Sequence, residues 1–101
     1  MNQMQAMIAQ AQKMQRDLTK ALNELAEKEF SVSKGGAVTV KMLGSFEVVS
    51  INIDKDAFEP DNKEMIEEMI AMAINELSEQ IEEEKAEINE RITGRREGMG
   101  L

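Results

Sequence analysis

Apolar residues recur at alternating steps of three and four from the start of the chain: Met4, Met7, Ala11, Met14, Leu18, Ala21 and Leu25. Written as a heptad, Met4, Ala11, Leu18 and Leu25 are a positions, and Met7, Met14 and Ala21 are d positions. Such a stripe is narrower than the apolar face of an ordinary globular helix and suits a seam against another helix. Met, Leu, Ala, Gln and Lys lose little side-chain freedom in a helix. The spacing therefore predicts a helix over about residues 2–28, ending at Lys28, where the next d position is charged.

The period then drops to two. Glu29-Phe30-Ser31-Val32-Ser33 reads as a short strand, and Lys34-Gly35-Gly36 as a loop. Ala37 to Leu43 predicts a second strand, with Val38, Val40 and Met42 on one face and Thr39 and Lys41 on the other. That division fits a sheet packed on one side and wet on the other. Gly44-Ser45 makes a tight connection to a third strand over residues 46–54, with Val49, Ile51 and Ile53 in phase. Val48 beside Val49 breaks the alternation and marks a candidate bulge. Residues 54–60 connect onward, with Phe58 expected to plug the end of the core. Asp61-Asn62-Lys63-Glu64 has the form of a capping box for a second helix running to about Thr93. Its stripe of Met65, Ile66, Met69, Ile70, Ala73, Ile74, Leu77 and Ile81 is wide enough to cover a sheet. Thr93-Gly94 ends it, leaving residues 94–101 as a flexible tail after a single domain of residues 1–93.

The expected class is α+β in the order α-β-β-β-α: a three-stranded antiparallel meander with two long flanking helices. The helices would be roughly 40 and 50 Å long, and the meander only about 20–30 Å along its strands. Both helices must overhang the sheet, chiefly the N-terminal half of the first and the C-terminal half of the second. Their projecting apolar stripes need cover, from each other or across a dimer. An elongated, symmetric homodimer with helical arms satisfies this.

Composition sharpens the function more than the fold. With 101 residues, three Phe and no Trp or Tyr, the core must be filled by aliphatics and nine Met, a shortage that a dimer relieves. Cys and His are both absent. Disulfides, thiolate metal sites, Cys nucleophiles and the commonest general base are thereby excluded, and neither an enzyme nor a cofactor is expected. No window has the length of a membrane span and no signal segment opens the chain, so the expectation is a cytoplasmic protein. The net charge of −8 opposes nonspecific nucleic-acid binding by the chain as a whole. Residues 61–93, however, hold eleven Asp or Glu against three Lys or Arg, whereas residues 1–28 hold three acids against four bases. The acidity belongs to the second helix.

Lys13, Arg16 and Lys20 occupy c, f and c positions, opposite the seam, and form one basic stripe on a projecting arm. One reading is phosphate contact, doubled in a dimer; the other is a solvated face with Arg16 and Lys20 pairing Asp17 and Glu24. Arg91, Arg95 and Arg96 form a second basic group at the end of the second helix, where cations also suit the helix dipole. Neither group has aromatic interleaving for single strands, and no helix-turn-helix or zinc-finger spacing occurs. Any DNA contact should be backbone-directed, weakly selective and salt-sensitive. Glu82, Glu83, Glu84, Glu87 and Glu90 point to different sides of their helix and read as a solvated face rather than a metal site. The Met-rich stripes read as core or dimer interface.

Met7-Ile8-Ala9-Gln10-Ala11-Gln12-Lys13-Met14-Gln15, the Gly loop before Ala37-Val38-Thr39-Val40, and Val49-Ser50-Ile51-Asn52-Ile53-Asp54 leading into Asp61 to Asn75 resemble the YbaB/EbfC nucleoid-associated proteins. The resemblance spans nearly the whole chain. It implies a small bacterial homodimer shaped like tweezers that binds duplex DNA through its helical arms and contributes to nucleoid organisation. Gene regulation or recombinational repair is a further implied role. The site residues would be Lys13, Arg16, Lys20, Arg91, Arg95 and Arg96. The alternative is a protein-interaction module that bridges recombination or replication proteins with little direct DNA contact.

Overall fold

The computed structural model describes residues 2–95; residues 96–101, and with them Arg96, lie outside that range. Helix α1 (Gln3–Glu27) is followed by strands β1 (Glu29–Lys34), β2 (Val38–Leu43) and β3 (Val48–Ile53), then helix α2 (Lys63–Thr93). The sheet is antiparallel in the order β1-β2-β3, the meander that the period-two segments predict. Gly35 and Gly36, at φ +56° and +69°, turn the chain between β1 and β2, a backbone region closed to most other residues.

Paired residues of an antiparallel ladder share a face, so the register shows which side chains meet α2. Phe30 lies opposite Met42, Val32 opposite Val40, and Val40 in turn opposite Ile51. These point to α2, whose Ile66, Ala73, Leu77 and Ile81 complete a core with Val32, Ala37, Val38, Val40 and Met42. The other face carries Ser31, Ser33, Thr39 and Lys41, with the Ser33 and Thr39 hydroxyls 2.7 Å apart. The bulge is present. Lys41 faces Ser50 and Met42 faces Val48, leaving Val49 as the extra residue and bringing Val48 onto the core face with Ile51.

Two local expectations fail. Asp61 does not cap α2: Pro60–Asn62 winds a 3-10 turn, the N-cap is Asn62, and no side chain caps the helix. Asn62 instead turns its amide back to donate to the Ala57 carbonyl at 2.9 Å. Phe58 does not plug the core either. It is 73% exposed, because the smaller Ala57 packs against the core in its place. A reciprocal cap does occur, at the start of α1. There Asn2 Oδ1 accepts from the Gln5 N–H at 2.8 Å and Gln5 Oε1 accepts from the Asn2 N–H, satisfying two otherwise orphaned donors.

The molecule measures 71 × 21 × 16 Å, and the reason lies in how α1 is attached. Its C-terminal end docks on the β2–β3 turn, where the Gly44 N–H donates to the Lys28 carbonyl and the Ser45 N–H to the Ala26 carbonyl. Lys28 reaches Glu84 on α2 and lies 5.0 Å from the centroid of the Phe30 ring. Lys34 on β1 pairs with Glu76 on α2. From this anchor α1 runs antiparallel to the second half of α2, with Ala21, Leu25 and Lys28 sharing a groove with Glu84, Ile88 and Arg91. The seam thus closes within the subunit over Ala21 and Leu25. Toward the N-terminus it outruns α2, and Met4, Met7 and Ile8 are 71, 63 and 52% exposed.

Candidate nucleic-acid interface

An α-helix places residues at i, i+3 and i+7 on one side, and α1 holds Lys13, Arg16 and Lys20 on the side away from its apolar stripe. All three are exposed. Only one acid stands among them. Lys13 Nζ donates to Asp17 Oδ2 at 2.8 Å, an i,i+4 pair with both side chains largely in solvent. That hydrogen bond, supported by the charges of Lys13, Arg16 and Lys20, holds the Asp17 carboxyl below the usual carboxylate range. The pairing differs from the expected solvated-face scheme. Among the described residues neither Arg16 nor Lys20 has an ion-pair partner within 4.0 Å.

Arg16 and Lys20 line a shallow groove on α1 with Gln15, Thr19, Asn23, Glu24 and Glu27. Gln15, Thr19 and Asn23 escape a search for charge, yet their i, i+4, i+8 spacing sets a row of neutral donors and acceptors beside the cations. Gln15 Nε2 lies 3.4 Å from Thr19 Oγ1. Side chains of this kind also hydrogen-bond phosphate and sugar oxygens in protein–DNA interfaces.

The second basic group is only partly brought in. Arg91 shares a groove with Glu24 and Lys28 of α1 and with Glu84 and Glu87 of α2. Glu24 belongs to both grooves, so the two groups adjoin across it, with Arg91 flanked by acids. Arg95 follows the left-handed C-cap Gly94, and its backbone N–H donates to Thr93 Oγ1 at 3.2 Å. Five glutamates, Glu76, Glu79, Glu83, Glu84 and Glu87, line a groove with Phe30 and Gln80. No helix among the described residues is long and apolar enough to cross a membrane.

Asp17 tempers the basic face. Anionic at neutral pH like any exposed carboxylate, and kept so further into acid by its lowered pKa, it offsets one of the positive charges in the row. Asp17→Asn is expected to tighten low-salt duplex binding by about three- to tenfold and to steepen the salt dependence by about one counterion per arm. Fluorescence anisotropy at several salt concentrations measures both; unchanged values would show that Lys13 does not reach phosphate.

A family model described as the YbaB/EbfC DNA-binding family matches residues 1–96. A nucleoid-associated protein of Clostridium novyi is 45% identical over 89 residues, 87% of this chain and 78% of the relative. Another, of Chloroflexus aurantiacus, is 39% identical over 100 residues, 98% of this chain and 99% of the relative. Among solved structures, an uncharacterized protein from Helicobacter pylori superposes with a TM-score of 0.74 at 21% identity, covering 93% of this chain and 99% of that one. The last shows a shared fold.

Proposed function

The chain belongs to the YbaB/EbfC DNA-binding family, and from that premise we propose that it binds duplex DNA through the outer face of α1. Lys13, Arg16 and Lys20 contact phosphates, with Gln15, Thr19 and Asn23 beside them and Arg91, Arg95 and Arg96 in support. The supporting observation is that three cations stand in a row on an arm that outruns α2, two of them without an ion-pair partner among the described residues. The chain has no Cys or His for a zinc finger, and its two helices are separated by the sheet rather than joined as a helix-turn-helix, so the reading is backbone-directed and weakly selective. The biological role within this reading is nucleoid organisation in the bacterial cytoplasm, extending to gene regulation or recombinational repair. Two unrelated duplexes of equal length should shift within a few-fold of the same protein concentration at low salt. A preference of 100-fold for one would refute backbone-directed binding.

The same reading includes a homodimer, and β3 supplies a surface for it. Helix α2 lies across β1 and β2 and makes little contact with β3, of which Ile53 packs against the core edge. Val48, Val49 and Ile51 are 41, 49 and 45% exposed, although the β2 partners Met42 and Val40 are at 2 and 0%. An exposed apolar edge strand pairs readily with another chain, and a second copy covering it doubles the basic arms. Lysine on an edge strand blocks such pairing without unfolding the sheet. Ile51→Lys is therefore expected to run at the monomer mass of 11.4 kDa in light scattering, where the unaltered chain runs at about twice that. An Ile51→Lys protein that keeps the larger mass would place the dimer surface elsewhere.

A further inference from the structure

The apolar stripe at the tip of α1 has no cover. Met4, Met7, Ile8 and Ala11 line one shallow groove with Asn2 and Gln3, and this groove continues the seam that α2 closes further along the helix. The covered half shows what such a surface accepts, which is another helix. Three features of the uncovered half select which helix.

First, residues 2–12 contain no charged side chain. The e and g positions that flank a coiled-coil seam are Gln3, Ile8, Gln10 and Gln15, so no charge there chooses or rejects a partner. A nucleic acid would require cations on this face, and a charged partner helix would require their complement. An identical stripe meets itself here without like-charge repulsion. Second, the seam sets one small residue among flexible ones, Ala11 between Met7 and Met14. Two copies can then interdigitate large into small. Third, the contact is short. Residues 3–14 offer a strip ~18 Å long and ~10 Å wide on each partner, far below the ~1,200 Å² of a free-standing interface. A partner held by this strip alone would dissociate, whereas copies already brought close by another interaction would stay together.

We propose that the uncovered stripe of α1, centred on Met7 and Ile8, is a contact surface for the same stripe on a second copy, used when copies are concentrated side by side. The contact is separate from β3 and from the basic face, which lies on the opposite side of α1. Its consequence, though not the contact itself, rests on the DNA-binding reading: neighbouring copies on one duplex, or on two adjacent duplexes, are joined tip to tip, and occupancy becomes cooperative.

The chain has no Cys, so single-cysteine variants report proximity without background. Met7→Cys places the thiol on the stripe, and Ala9→Cys places it on the opposite face of the same exposed arm. Treated with a short bismaleimide at high protein concentration without DNA, full-length Met7→Cys is expected to cross-link at least tenfold faster than Ala9→Cys. Adding Ile8→Lys to Met7→Cys should bring its rate down to the Ala9→Cys value while the circular dichroism spectrum stays the same. With duplex present, the Met7→Cys contrast should appear at much lower protein concentration. Equal rates for the two positions in both conditions would overturn the contact. A contrast in free protein that duplex leaves unaltered would uphold the contact and count instead against DNA binding.

Discussion

Replacing Lys13, Arg16 and Lys20 together by Glu is expected to weaken duplex binding at low salt by at least ~100-fold, with the fold and mass unchanged. Each lysine or arginine that neutralises a phosphate releases condensed counterions, and this release supplies most of the free energy of nonspecific binding. Reversal both removes that gain and adds repulsion at the same positions, on both arms of a dimer. The fold should tolerate it because all three side chains are exposed. Among the described residues Lys13 alone of the three holds an ion pair, a solvent-exposed one of a kind that contributes little to stability. Mobility shift and light scattering on the same preparation read both halves of the expectation. A folded variant that binds as the unaltered protein does would remove these residues from the interface.

Gly44→Ala carries the largest expected effect on the fold. A Cβ at residue 44 would lie 1.8 Å from the Leu25 carbonyl oxygen and 2.7 Å from its carbon, backbone atoms that have no room to yield. Gly44 is not among the glycines at positive φ, so the penalty comes from close approach and not from backbone conformation. Either the turn rearranges or α1 lifts from its anchor, losing the bonds from the Gly44 and Ser45 N–H groups to the Lys28 and Ala26 carbonyls. We expect a cost of about 3 kcal/mol or more, lowering Tm by on the order of 10–25 °C for a domain of this size. Gly36→Ala is the contrast. It meets nothing within 4 Å, and its φ of +69° limits the cost to about 1–2 kcal/mol. Thermal denaturation followed by circular dichroism separates the two; equal losses would show that the hairpin turn does not anchor the arm.

Periodicity carries the element order, because 3-4 spacing and strict alternation leave different marks on a chain. The seam of α1, the sheet face of Val38, Val40 and Met42, and the bulge at Val48-Val49 were legible for that reason. Lateral placement was not. A wide stripe on α2 says that it covers a sheet but not that it covers β1 and β2 and leaves most of β3 exposed, since that depends on where α1 and the turns hold it. Local signals misled where two uses compete for one residue. Pro60 takes the first turn into a 3-10 helix, and Asn62 spends its amide on Ala57, so the Asp61 capping box never forms. Phe58 reads as core by type, but its connector places Ala57 there instead. At the candidate interface the basic row was legible from spacing. Lys13 rather than Arg16 proved to be the partner of Asp17, because residues i and i+4 face each other on a helix and residues i and i+1 do not. Gln15, Thr19 and Asn23 carry no charge to draw attention, and the anchoring role of Gly44 depends on a contact 19 residues away in sequence.

The salt dependence of duplex binding tests the central claim most directly. Three phosphate contacts on each arm of the proposed dimer predict that log K falls against log[salt] with a slope of about −5. The triple charge reversal should abolish measurable binding at every salt concentration. A steep slope in the unaltered protein that is lost in the variant is the predicted result. No binding of the unaltered protein even at the lowest salt would contradict the account and leave a protein-interaction module as the better reading.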